Sequence, residues 1–248
     1  MKKLLLGVLV LTVALTAAPL VSADTYLKYE SHTDGFSMMG QTQPPKDDFN
    51  TMWLSKEHAL INQGGESSVL VNIGDNKMYI INHKEKNYAE MEMGDLSSMI
   101  GEKEMSDKEK EQFNQLMASM MQLKATVTKT DQTKKIEKWN STLYTVTTKM
   151  AMGATDSNIW ASNEIKVDSE LYLALTNAML SKQPGFEEFM KEMMKIDGVP
   201  VLKESTTEVM GTKIKSTEKL VEFKDTNPPA DTYMVPKDYK KSKSVMNQ

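Results

Sequence analysis

The stretch STLYTVTTKMAM, residues 141–152, decides how the chain reads. Tyr144, Val146, Thr148 and Met150 recur on one side at a period of two. Leu143, Thr145, Thr147 and Lys149 fall on the other. A β-branched run with that alternation is a strand, and its neighbours repeat the pattern. ATVTKT (125–130), KKIEKW (134–139) and SNIWAS (157–162) read as further antiparallel strands.

Working outward, VPVLKESTTEVMGTKIKSTEKLVEF (199–223) reads as a long hairpin turning near Met210-Gly211-Thr212, and ADTYMVPKDY (230–239) closes the fold. Toward the N-terminus the pattern is also β. TYLKYES (25–31) alternates, and TMWLS (51–55) and EHALINQ (57–63) are short runs on either side of Lys56. SSVLVNIGDNKMYIIN (67–82) is strand, tight turn at Gly74-Asp75-Asn76, strand, and HKEKNYAEM (83–91) adds a turn and one more. QTQPPKDD (41–48) reads as a loop, because its prolines cannot donate to a ladder.

Two segments change period. SDKEKEQFNQLMASMMQLKA (106–125) opens with a capping box, Ser106 and Glu109, then places Phe113, Leu116, Met117, Met120 and Met121 on one helical stripe. The region 168–196 reads as helical, interrupted at Pro184-Gly185. Its second part sets Phe186, Phe189, Met190, Met193 and Met194 at the same spacing. Gly198 suits a left-handed C-cap position, and Pro200 ends the helix. Strands, helix, strands, helix, strands predict an α+β fold with a large antiparallel sheet, covered on one face by the two apolar helix stripes.

Lys2 and Lys3, the uncharged run from Leu4 to Ala18 and the small residues Val21, Ser22 and Ala23 form a secretory signal peptide, with cleavage expected before Asp24. No integral membrane segment is expected after it. Residues 24–240 then make one domain, and 241–248 a disordered tail. The chain has no cysteine and no arginine. Without Lys2 and Lys3, 28 of the 30 basic residues remain against 34 acids, which argues against nucleic acid as a partner.

Enzymatic chemistry is not expected, and neither is a cofactor. His32, His58 and His83 lack metal-like spacing to one another or to acids, a thiol nucleophile is impossible, and no serine sits in an elbow motif. The 21 methionines are the anomaly. Three accounts fit them. Methionine fills irregular cores. It also lines adaptable apolar pockets: Phe113, Met117, Met120, Met121, Phe189, Met190, Met193 and Met194 could cover a gap floored by Trp139 and Trp160. As a soft thioether it could instead hold periplasmic Cu(I) or Ag(I).

Several stretches resemble a known group. KKIEKWNSTLYTVTTKMAMGATDSNIWAS, KIDGVPVL, VMGTKIKSTEKLVEF and YMVPKDYKK look like the landmarks of an uncharacterised family of exported bacterial proteins. That family is similar to the periplasmic lipoprotein carriers and lipid-binding lipoproteins of the LolA/LppX kind. The resemblance implies a curved, half-open barrel with two or three helices on its concave face. It also implies a non-enzymatic binding role in the periplasm or outside the cell, with a lipid, acyl chain or lipidated protein as partner. A structural or interaction protein with a filled Met-rich core, and a Cu(I)-binding protein, are the alternatives. Arginine contacts known in lipoprotein carriers have no counterpart here.

Overall fold

The structure, a computed structural model, describes residues 24–38, 40–93, 124–150, 153–167 and 185–242. The strands are β1 (Asp24–Thr33), β2 (Phe36–Met38), β3 (Gln41–Gln43), β4 (Lys46–Leu54), β5 (His58–Gln63), β6 (Ser67–Asn72), β7 (Lys77–Asn82), β8 (Asn87–Glu92), β9 (Lys124–Ile136), β10 (Trp139–Met150), β11 (Gly153–Ser162), β12 (Val199–Val209), β13 (Thr212–Thr226) and β14 (Lys240–Lys241). One helix, α1 (Phe186–Met193), lies among the described residues.

Twelve strands form a single sheet in the order β14-β8-β7-β6-β5-β4-β1-β13-β12-β11-β10-β9, and β2 and β3 pair separately. Within β4–β8, β9–β11 and β12–β13 consecutive strands meander antiparallel, because the short turns joining them permit nothing else. The β1–β13 pairing joins the N-terminal and C-terminal flanks. β14 alone runs parallel to its neighbour, β8, which makes the sheet mixed.

The expected α+β fold is therefore corrected. The described residues are one large mixed sheet with a single eight-residue helix, not a sheet with two or three covering helices, and its end strands β14 and β9 do not close a barrel. The physical reason lies in strand length. β9 to β13 run 10 to 15 residues each, so cross-strand pairs across a continuous ladder dominate the packing. The helix at 106–123 and the one from 168 to 184 lie outside the described residues, as does the segment 1–23.

Other boundaries moved as well. QTQPPKDD contains the short strand β3 and the start of β4 rather than loop alone. The run expected at 125–130 and the first half of the one expected at 134–139 are one strand, β9. Its hairpin turns at Glu137-Lys138, so that Trp139 opens β10 opposite Ile136. Glu137 holds φ 51, a conformation the sequence does not advertise. The Met210-Gly211 tip is as expected: φ values of 50 and 79 match a two-residue hairpin turn between Val209 and Thr212.

Hydrophobic packing gathers in two clusters. The larger holds Leu27, Leu54, Ala59, Val71, Met78, Ala89, Met91, Ile136, Trp139, Ile165, Val201 and Leu220. The smaller holds Val127, Tyr144, Val146, Ile159 and Ala161, with Met193 and Ile196 laid on it from α1 and the residues after it. Glu192 of α1 accepts the backbone N–H of Val127 at 2.8 Å, and Tyr144 accepts the N–H of Asp197 at 3.2 Å, so the helix is tied to β9 and β10.

The segment after β13 crosses the sheet at β5 to β8. Tyr233 stacks on His58 with centroids 5.1 Å apart and donates to Asp24 at 2.8 Å. Burial pushes its phenol well above the ordinary range. Tyr239 lies 2.9 Å from His83 Nδ1, and His83 Nε2 lies 2.6 Å from the buried Ser68 hydroxyl. Lys86 pairs with Asp238 at 3.0 Å. Burial lowers the His83 pKa below 6.5, so the native state binds fewer protons there than the unfolded chain. This stability is complete above that value and is lost as pH falls through the folded pKa. His32 shifts oppositely, raised by Asp47. The urea midpoint of the wild type should therefore fall on acidification through about pH 6.5 more than that of His83→Gln, read in parallel by circular dichroism.

Candidate ligand-binding face

Side chains alternate across a strand, so β1 presents Leu27, Tyr29, Ser31 and Thr33 on one face. Register then fixes what stands beside them. Phe223, Leu27, Met52, Ile61, Val69, Ile80 and Ala89 are successive cross-strand partners over β13, β1, β4, β5, β6, β7 and β8. Every one is apolar. A second apolar row runs beside it: Leu54, Ala59, Val71, Met78 and Met91. This second row is sealed, with 0 to 5 % of each residue exposed. In the first row Met52, Ile61, Val69 and Ile80 are only partly buried. At about 4.8 Å per strand, the seven-residue row is roughly 29 Å long.

On the other side of the half-buried row the chemistry changes within one step. Tyr29, Asn50, Gln63, Ser67, Asn82 and Asn87 form the next row. Beyond it, on the same face, Ser31, Thr33, Lys46 and Asp48 edge a polar groove of about 270 Å3, lined also by Asn50, Gln63, Gly64, Glu66 and Ser67. Lys46 reaches Asp48 at 2.9 Å and Glu66 at 3.7 Å. The Lys46 ammonium holds the Asp48 carboxyl below its usual value. Asp48 rests on Gly64, which holds φ 60; a Cβ there would stand 2.3 Å from Oδ2. The sheet face is thus amphipathic along its strands, apolar at one end and polar at the other.

The residues proposed from the sequence are distributed differently. Trp139 is buried in the larger cluster and Trp160 packs against it. Lys138 and Lys134 lie over their respective rings at 5.0 and 5.5 Å. Met190 is buried with Phe186, Phe189 is half-buried, and Met193 packs on the smaller cluster. Met194 is 64 % exposed. Phe113, Met117, Met120 and Met121 lie outside the described residues. Met91 and Met93 belong to the larger cluster. Among the described residues no three His, Asp or Glu side chains gather as a metal site, and no helix is long and apolar enough to cross a membrane.

Sequence reading passed over Met52, Ile61, Val69 and Ile80 because no one of these short strands is unusual. The signal was available in the turns: the tight turn at 73–76 sets Val71 opposite Met78, and the alternation then aligns the rows.

No family model matches the chain, and no curated protein matches it. Among solved structures the chain is similar to a domain from Vibrio parahaemolyticus, provisionally described as an outer membrane lipoprotein-sorting protein domain. The match covers 85 % of this chain and 89 % of that one, at 5 % identity and a TM-score of 0.32. This neighbour is of the lipoprotein-sorting kind that the sequence motifs resemble. A likeness this low in identity and TM-score transfers neither ligand nor activity.

Proposed function

We propose that the protein is an exported, non-enzymatic binding protein that holds an acyl chain, of a lipid or of a lipidated partner, along the apolar face of β1 and β4 to β8. One observation carries the reading: the row Met52, Ile61, Val69 and Ile80 is in register, apolar throughout and only partly buried, beside a fully sealed apolar row. A single acyl chain fills about half of a bilayer core of roughly 30 Å, so a row of this length accommodates one. Met52 gives the half-buried row a side chain that adjusts to chains of different shape.

The test is a triple substitution, Ile61→Thr, Val69→Thr and Ile80→Thr. Threonine keeps the β-branched shape and the strands, but makes the row polar. Affinity for a fluorescent acyl probe should drop by at least about tenfold, because three apolar contacts are lost. Unchanged affinity would remove the face from the function.

A further inference from the structure

We infer that the polar groove at the end of the apolar face is a headgroup site for a zwitterionic phospho-ammonium amphiphile, of the phosphatidylethanolamine type. The inference rests on the acyl-chain reading above and deepens it.

Position comes first. The groove residues Ser31, Asp48, Asn50, Gln63 and Ser67 share their strands and their face with Leu27, Met52, Ile61 and Val69. Asn50, Gln63 and Ser67 of the groove wall stand one alternation step from Met52, Ile61 and Val69, so an amphiphile whose chain lies along the half-buried row reaches the groove by turning its polar end across that single step. Charge comes second. The groove holds one ammonium, Lys46, and two carboxylates, Asp48 and Glu66. Two carboxylates against one ammonium repel an anionic headgroup and attract an ammonium. The remaining Lys46 charge and the neutral donors Asn50, Ser31 and Ser67 suit a phosphate. A headgroup carrying both charges satisfies both sets at once.

The internal ion pairs do not block this exchange. The Lys46 side chain is 59 % exposed and that of Glu66 71 %, and exposed pairs contribute little and exchange partners readily. Gly64 matters because any side chain there would collide with the Asp48 carboxylate, removing it from its place in the groove wall.

The experiment uses delipidated protein and three ligands with one and the same acyl chain: a lysophosphatidylethanolamine, a lysophosphatidylglycerol and the free fatty acid, each titrated by calorimetry. The zwitterionic ligand should bind about tenfold tighter than either anionic one. The double variant Asp48→Asn, Glu66→Gln should erase that preference, bind the fatty acid at least as tightly as the wild type does, and leave the urea midpoint unchanged. Equal binding of all three ligands, a preference for the anionic headgroup, or a preference that survives the double variant would overturn the headgroup site and leave the acyl face standing. No binding by any ligand would overturn both.

Discussion

Gly198→Ala should destabilise the protein by about 3 kcal/mol or more, lowering the thermal midpoint by roughly 6–12 °C in a domain of this size. Gly198 follows α1 and precedes β12, and its φ of 103 lies where only glycine is at ease. Space forbids the change as well: an added Cβ would stand 2.3 Å from the carbonyl oxygen of Ser162 and 2.6 Å from the nitrogen of Asn163. These are backbone atoms at the end of β11, and Ser162 is only 1 % exposed, so nothing nearby can yield cheaply. The strain must displace either the end of β11 or the start of β12, which pair at Ser162 and Val199. Thermal unfolding followed by circular dichroism measures it. A midpoint within about 2 °C of wild type would mean that this junction is not the close contact described.

Trp139→Ala should cost about 3–5 kcal/mol, the range for removing a large buried aromatic side chain. Trp139 opens β10, 5 % exposed, in the cluster that also holds Ile136, Leu27, Leu54 and Leu220. It therefore bonds the C-terminal flank of the sheet to the N-terminal one, and its loss leaves a cavity at that junction. Denaturant unfolding should show a lower midpoint with an unchanged slope. A loss below about 1 kcal/mol would place Trp139 outside the core.

Much of the sheet was legible in the sequence. Alternation at 25–31, 67–82 and 141–150 located strands that the structure contains, and Met210-Gly211 located a turn. What misled was local. The polar residues 131–133 separate two expected strands, 125–130 and 134–139, yet β9 runs through them to Ile136 and the turn falls at 137–138. Gly198 read as a helix cap, but α1 ends at Met193 with Met194 as its cap; its glycine is required by the Ser162 carbonyl, a residue far away in sequence.

The candidate site was less legible for a related reason. Methionine density drew attention to the helical stripes, where Met190 is buried and Met194 is exposed. The amphipathic face instead arises from unremarkable residues on separate short strands: Met52, Ile61, Val69 and Ile80, then Asn50, Gln63 and Ser67. No window along the chain contains that pattern. It exists only across the ladder, where register adds up the alternation of each strand.

The most direct test of the acyl-chain face is native mass spectrometry of the protein purified without detergent, alongside the Ile61→Thr, Val69→Thr, Ile80→Thr variant. The account predicts a bound lipid mass on the wild type that is lost from the variant. A bare polypeptide mass for the wild type, or a lipid mass that the variant retains in full, would contradict it.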